Sequence, residues 1–129
     1  MSCYYPTSTY TDKQVTDFCD NVTQMIKKIP KSYGITIRSN INAAIGNLTM
    51  ENVTNSDFNL IGPHEGKFRN ERGKIIRNLM YLHNLKSAAT SFNNINKIDT
   101  WIHPAMRTRY QLNHLFILSQ YFKLVSKAE

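Results

Sequence analysis

The stretch Met25–Gly46, MIKKIPKSYGITIRSNINAAIG, decides how the chain is folded. Its first residues close an apolar helical pattern, two lysines and a proline follow, and a second apolar pattern starts a few residues later. Pro30 predicts the end of the first helix, because the residue before a proline is pushed out of the α region. Ser32 can cap a second helix. We therefore interpret the stretch as a short, positively charged corner between two helices.

The segment after the corner allows two interpretations. Its apolar residues are Ile37, Ile41, Ala44, Ile45 and Leu48. Their spacing of mainly three and four predicts a helix that fades near Val53. The β-branched run Ile35–Ile37 would also suit a strand. No partner strand is visible in the sequence, so we expect the helix.

Three other segments carry helical patterns. Thr11 and Gln14 form a capping-box signature at the start of a helix from about 12 to 29. After a long loop at 54–66, a third helix is predicted from about 67 to 92. The last helix begins at about 100 and extends to about 125, with Pro104 in its first turn. Residues 1–10 form an N-terminal tail, and 11–129 form a single domain.

The expected fold class is therefore all-α. Short connections make sequential helices antiparallel neighbours, which predicts an up-down-up-down four-helix bundle. The last helix is apolar around far more than a third of its circumference, and monomers rarely leave a wide apolar patch in water. We therefore expect a homo-oligomer. Because Tyr121 and Phe122 are adjacent, they point about 100° apart and cannot both face one neighbour, so both are candidates for the oligomer interface and we predict that one of them lies in it.

The bulk composition indicates a basic globular protein. The formal net charge is +7, with 41% hydrophobic and 19% charged residues and a sequence pI near 9.5. The first twenty residues carry one lysine against three aspartates, whereas the remainder carries fifteen bases against six acids. No apolar run approaches the roughly 20 residues of a membrane span. We expect no signal peptide, free thiols at both cysteines, Cys3 and Cys19, and a cytoplasmic protein.

The basic residues form several groups along the chain. The candidate nucleic-acid-binding residues are Lys27, Lys28, Lys31, Arg38, Lys67, Arg69, Arg72, Lys74, Arg77, Arg107 and Arg109. Lysine and arginine neutralise phosphates without reading sequence, so this pattern favours contact with an RNA or DNA backbone. A solvated helical face is the alternative for the group from 67 to 77. In a bundle, the corner lysines and Arg107 and Arg109 would lie at the same end.

Motifs for catalysis and for metal binding are missing. The four histidines include no His-x-x-x-His pair, and the two cysteines are not at Cys-x-x-Cys spacing. We therefore expect no metal, no cofactor and no enzymatic activity. His114, on the last apolar stripe, is interpreted as a satisfied core or interface histidine. An enzyme with a site assembled from scattered residues such as Glu71, His83 and Tyr110 is the less favoured alternative.

The order of these features resembles a family of small four-helix bundles. The residues that carry the resemblance are Ile29–Gly34 (IPKSYG), Asn42–Ile45 (NAAI) and the aromatic-rich segment Leu115–Val125. The family includes the 23S rRNA intervening-sequence proteins and the accessory variability determinant of diversity-generating retroelements. The resemblance implies a homopentamer with a basic surface, in which Lys28, Lys31 and Arg38 match the family's basic corner.

Two functions remain as hypotheses. The first, implied by the resemblance, is a non-enzymatic nucleic-acid-binding accessory protein that supports a reverse transcriptase in a diversity-generating retroelement. The second is a small inhibitor, encoded by a phage or mobile element, that binds a host nucleic-acid enzyme. Such inhibitors are more often acidic, so the net charge of +7 weighs against the second.

Overall fold

The computed structural model describes residues 1–4, 7, 9–46, 60–62, 70–92, 101–102, 104–107, 109–110 and 112–125. They form a two-layer α/β fold, in which two helices pack on one face of a four-stranded sheet. The strands are β1 (Ser2–Tyr4), β2 (Thr36–Asn40), β3 (Leu85–Ser87), β4 (Trp101–Ile102), β5 (Arg109–Tyr110) and β6 (Asn113–Leu118). The helices are α1 (Asp12–Lys28), α2 (Glu71–His83), the short α3 (Ala88–Ser91) and a 3-10 helix (Ser119–Leu124). The prediction of an all-α, antiparallel up-down-up-down four-helix bundle is wrong.

The main sheet is mixed, with the strand order β1-β2-β6-β3. β1 and β2 are parallel neighbours, and β6 lies antiparallel between β2 and β3. β4 and β5 form a separate two-stranded sheet. Parallel neighbours need a crossover connection, and α1 supplies the one between β1 and β2. The short basic corner therefore joins a helix to a strand.

Helix α1 matches its prediction. The Thr11 hydroxyl accepts a hydrogen bond from the backbone N–H of Gln14 at 3.3 Å, and the Gln14 side chain accepts one from the Thr11 N–H at 2.9 Å. This reciprocal pair satisfies two of the N–H groups that a helix start leaves without partners. The helix ends at Lys28, with Ile29 as its extended C-cap, directly before Pro30.

The predicted second helix is wrong because its first part is strand β2. Side chains of β2 alternate, with Thr36 and Arg38 exposed and Ile37 and Ser39 buried. The corner also differs from its prediction: the Tyr33 N–H donates to the Pro30 carbonyl at 2.9 Å, so Ser32 lies in a turn rather than at a helix start.

The predicted third helix is shorter than expected. Asn84, with a φ of 52°, ends α2 in the left-handed conformation that asparagine tolerates. The chain then continues directly into β3. Residues 67–69 and most of the predicted 54–66 loop lie outside the described residues.

The predicted last helix is also wrong, because strands and a 3-10 helix occupy this part of the chain. Strand β6 has neighbours on both sides in the sheet, with Phe116 on one face and Ile117 on the other, both buried. A strand that is buried on both faces has a continuous run of apolar residues, and so does a buried helix, so the sequence pattern does not distinguish them. The second apolar side that suggested a subunit interface is therefore covered within the chain at Ile117.

The core lies between the helices and the inner face of the sheet. Val15, Val22 and Ile26 of α1 and Ile76 and Met80 of α2 are buried there. Their partners on the sheet include Ile37, Leu85 and Phe116. The opposite, outer face carries Thr36 and Arg38 of β2, Lys86 of β3 and Asn113 of β6. In the described part of the chain, no helix has the length and apolar character needed to cross a bilayer.

Candidate nucleic-acid interface

The α1–β2 corner presents three exposed lysines and an exposed tyrosine. Lys27 and Lys28 form the last turn of α1, Lys31 lies in the turn, and 63% of Tyr33 is exposed. Cations are favourable at a helix C-terminus because the last carbonyls carry partial negative charge. The lysines stabilise the helix end through their charge alone, without being buried or ion-paired, so their ammonium groups remain in solvent.

A second pair of bases lies on the outer face of the sheet. Arg38 is exposed at the centre of β2, where its neighbours across the sheet are Ser2 and Leu115. Lys86 of β3 pairs with Ile117, whose other neighbour is Thr36. The first residues of β2 and β3 meet the last residues of β6. Lys86 therefore lies level with Thr36 at the end of the sheet where the corner is, and Arg38 lies two residues further along β2.

The 3-10 helix crosses the same end of the sheet. Phe122 stacks on Phe92 with ring centroids 5.9 Å apart, and the Lys86 ammonium lies 4.3 Å from the centre of the Phe122 ring. Tyr121 lies beside Gly34, where it is half-buried. These two aromatic residues make contacts within one chain. Their role in an oligomer interface stays a prediction, although the apolar surplus that suggested it packs internally.

The described acidic side chains lie away from the corner, along α1 and at the start of α2. The described acids are Asp12, Asp17 and Asp20 in the first half of α1, and Glu71 at the start of α2. A helix rises 1.5 Å per residue, so Asp20 lies about 10 Å along the axis from Lys27. That distance exceeds the Debye length of about 8 Å at physiological ionic strength. The described acids therefore neutralise little of the charge at the corner.

The pKa of His83 is affected by the positive charge at the corner. Its Nε2 lies 3.0 Å from the Thr23 hydroxyl, which joins the end of α2 to α1. Burial lowers the pKa of His83, and the positive charge of Lys27 lowers that pKa further. The Lys27 charge thus acts on the surface between the two helix ends.

The other predicted bases have structural roles or lie elsewhere. The Arg72 guanidinium donates to the carbonyls of Thr7 and Tyr10, the second at 2.6 Å. Arg77 is only 4% exposed and donates to the Gly46 carbonyl at 2.9 Å. Lys74 forms an ion pair with Glu71 at 2.5 Å.

The remaining members of the predicted set are not brought to the corner by any described contact. Arg107 is exposed in the turn between β4 and β5, and Arg109 belongs to β5. Both were predicted at the start of a helix, and that part of the prediction is wrong. Lys67 and Arg69 lie outside the described residues.

From the predicted set, the structure leaves Lys27, Lys28 and Lys31 exposed at the corner and Arg38 exposed on the outer face of β2, the strand that follows the corner. Sequence reasoning missed Lys86, because a three-residue strand gives almost no periodic signal. Tyr33 lay within the quoted corner, but a single tyrosine in a turn has no pattern that distinguishes it. We use the name basic face for Lys27, Lys28, Lys31, Arg38 and Lys86.

The buried polar pair His114 and Ser87 has the residue types of a reaction centre but not the access to solvent. His114 is 3% exposed, with its Nδ1 3.2 Å from the Ser87 hydroxyl and its ring stacked on Phe116. This confirms the interpretation of His114 as a satisfied core histidine. A Ser-His pair closed to solvent cannot reach a substrate. Within the described ranges, no group of three or more His, Cys, Asp or Glu side chains could hold a metal ion.

Comparisons with known proteins give no relative. No protein-family model, no curated protein and no solved structure matches the chain. The four-helix bundle that the resemblance implied is not the fold of this chain. The chemistry of the basic face is therefore the basis for a functional assignment.

Proposed function

We propose that the protein is a non-enzymatic binder of single-stranded nucleic acid, and that the strand lies on the basic face. The observation that supports the proposal is a set of three exposed lysines at the corner, followed by the exposed Arg38 and the half-buried Lys86 on the outer face of the sheet, with the exposed ring of Tyr33 between Lys31 and Arg38 in the chain. Lysine and arginine neutralise phosphates whatever the sequence, and exposed aromatic rings offer stacking surfaces for bases.

The shape of the surface favours a single strand over a duplex. In a duplex the faces of the bases are stacked on each other, so Tyr33 and the exposed Tyr4 could not stack on them. The described surface combines the outer face of the sheet with the corner and the last turn of α1, and none of the described helices lies lengthwise across it as a groove-binding helix would. A single strand can follow such a face and turn its bases towards the tyrosines.

The expected salt dependence can be calculated from the number of bases. If three to five phosphates are neutralised, the log–log slope of the association constant against salt is about −2 to −3.5, from about −0.7 per phosphate on single strands. Affinity should then fall by roughly 20- to 130-fold between 50 and 200 mM salt. Fluorescence anisotropy with labelled DNA and RNA oligonucleotides measures this slope. A flat salt series would contradict the proposal.

Matched charge variants separate the basic face from net charge. The double variant Lys28→Gln with Lys31→Gln removes two charges from the basic face. The control, Lys13→Gln with Lys74→Gln, removes two exposed charges from the first turns of α1 and α2. We expect the first variant to bind about tenfold more weakly, with a slope smaller by about 1.4, and the control to change little. Equal losses in both variants would show that only the total charge matters.

His83 provides a second readout. Phosphates bound at Lys27 would offset the positive charge that lowers the pKa of His83, so binding should raise this pKa. A pH titration of the His83 ring by NMR, with and without an oligonucleotide, measures the change. An unchanged titration would place the strand away from Lys27.

The proposal needs neither a reverse transcriptase nor a pentamer, which the resemblance to a bundle family implied. Nothing in the described structure favours the alternative of an enzyme inhibitor. We keep the cytoplasm as the proposed compartment, since Cys3 and Cys19 are both free thiols, as a reducing environment would leave them.

A further inference from the structure

A cleft of about 330 Å³ opens beside strand β1, outside the basic face. One wall is a stripe of α1 that includes Asp17, Phe18 and Asn21, and the opposite wall includes Tyr4 and Tyr10. The helical spacing of three and four places the α1 residues side by side. We call this feature the arm cleft. Its volume is within the range of small-ligand sites.

The tyrosine wall is fixed by interactions with both helices. Arg72 of α2 donates to the carbonyls of Thr7 and Tyr10, and the Tyr10 N–H donates to the Thr7 carbonyl at 3.1 Å. The capping box at Thr11 fixes the chain where it enters α1. The cleft is therefore held open by contacts that do not depend on a ligand.

The lining selects a flat, hydrogen-bonding ligand. Tyr4, Tyr10 and Phe18 supply aromatic surface for stacking. The exposed Asp17 carboxylate can only accept hydrogen bonds, whereas the Asn21 amide can both donate and accept. Asp17 also disfavours phosphate in the cleft, because like charges repel. A nucleobase with an amino group meets these conditions.

The arm cleft is connected to the basic face through β1. Ser2 is paired with Arg38 of β2, and Tyr4 lies two residues further along β1, about 7 Å away. A strand whose phosphates pass over Arg38 could therefore turn one base past Tyr4 into the cleft.

We propose that the arm cleft binds one nucleobase that carries an exocyclic amino group, with Asp17 accepting a hydrogen bond from that group. Cytosine, adenine and guanine meet this requirement. Thymine and uracil lack the amino group, and the donor on the same edge, N3–H, lies between two carbonyl oxygens that repel the carboxylate. For a bound nucleic-acid strand, the inference rests on the proposed function. Binding of the phosphate backbone alone does not distinguish between bases, and the arm cleft would add such a preference.

The test compares homopolymeric oligonucleotides at one salt concentration. The wild-type protein should bind oligo(dC) about tenfold more tightly than oligo(dT), as one charge-assisted hydrogen bond would give. Asp17→Asn should remove most of this preference. Asp20→Asn is the matched control, because it makes the same charge change at an exposed position of α1 outside the cleft lining, and it should keep the preference.

Free nucleosides make the test independent of the phosphate backbone. Cytidine, but not uridine, should shift the NMR signals of Tyr10 and Asn21, and Asp17→Asn should abolish the shift. Salt-dependent binding with equal affinity for oligo(dC) and oligo(dT) would overturn the inference and leave the proposed function standing. Nucleoside binding without any oligonucleotide binding would contradict the proposed function and support the cleft.

Discussion

The substitution Gly73→Ala tests the fold directly. Gly73 is the third residue of α2 and is buried, and its N–H donates to the side chain of the N-cap residue Asn70 at 2.8 Å. A Cβ added at Gly73 would lie 1.7 Å from the Ala44 carbonyl oxygen, 2.6 Å from the Ala44 carbonyl carbon and 3.1 Å from the Ile45 Cα. These are backbone atoms, so a rotamer change cannot remove the overlap.

Two effects of the substitution have opposite signs. Alanine is favoured over glycine inside a helix by about 1 kcal/mol. Against this, α2 would have to move away from the 44–45 backbone, and overpacking of this kind costs about 1–3 kcal/mol. The movement also strains two hydrogen bonds between Asn70 and Ala44, at 3.1 and 3.3 Å, each contributing about 0.5–1.5 kcal/mol. We therefore expect Gly73→Ala to lower the free energy of unfolding by roughly 2–4 kcal/mol.

Urea unfolding followed by circular dichroism measures the difference. Asn78→Ala is the control, since Asn78 is exposed on the same helix and the substitution should change stability by less than about 1 kcal/mol. If Gly73→Ala instead raised the unfolding free energy by about 1 kcal/mol, only helix propensity would be acting. The packing of α2 on Ala44 and Ile45 would then be refuted.

Three further predictions follow from local interactions. Because burial and Lys27 lower the pKa of His83, the unfolded chain binds a proton at this residue at a higher pH than the folded chain does. The free energy of unfolding should therefore be constant above about pH 6.5 and fall as the pH drops below that value, until His83 of the folded protein is also protonated. Urea midpoints measured against pH should show a smaller fall in His83→Gln. Burial, with a smaller contribution from Asp20, raises the pKa of Cys19 to about 11, so iodoacetamide at pH 8 should alkylate it about a hundredfold more slowly in the native protein than in the unfolded one; equal rates would contradict this. Thr11→Ala should lower the unfolding free energy by about 1 kcal/mol through loss of the capping box, and no loss in urea unfolding would show that the box contributes nothing.

Helix α1 was predictable because its determinants are local. Thr11 and Gln14 are three residues apart, its apolar stripe repeats over about four turns, and Pro30 follows its end. Each of these signals acts within the segment itself. Tertiary packing had only to select the face that the stripe already defined.

Strand β2 was not predictable in the same way, because its partners are distant in the sequence. Ile37 pairs with Phe116 in β6, and Ser2 of β1 pairs with Arg38. The spacing from Ile37 to Ile41 fits a helix, but Ile41 lies just beyond the strand, where its N–H donates to the Leu112 carbonyl. The β-branched run Ile35–Ile37 was the one feature of this segment that indicated a strand. Only knowledge of its distant partner, β6, could have favoured the strand over the helix.

Whether a basic residue is exposed or hydrogen-bonded within the fold depends on the backbone groups around it. Arginine offers five N–H donors in a rigid fork, which suits it to satisfying carbonyls of irregular segments. Arg72 does this for Thr7 and Tyr10, and Arg77 does so for Gly46. Both arginines come from the sequence cluster that seemed the densest binding surface.

The corner lysines differ because the fold requires little from them. The helix C-terminus that they stabilise benefits from their charge alone, at about 0.3–1 kcal/mol each, without fixing their side chains. Lys27, Lys28 and Lys31 therefore stay exposed, while the described acids lie between the start and the middle of α1 and at the start of α2. A cluster of bases indicates a polyanion site only where the fold leaves the charges in solvent. By that criterion the corner, together with Arg38 on the exposed face of the sheet, is the stronger candidate for a polyanion site. The group from 67 to 77 is weaker, because Arg72 and Arg77 hydrogen-bond to backbone carbonyls of the fold.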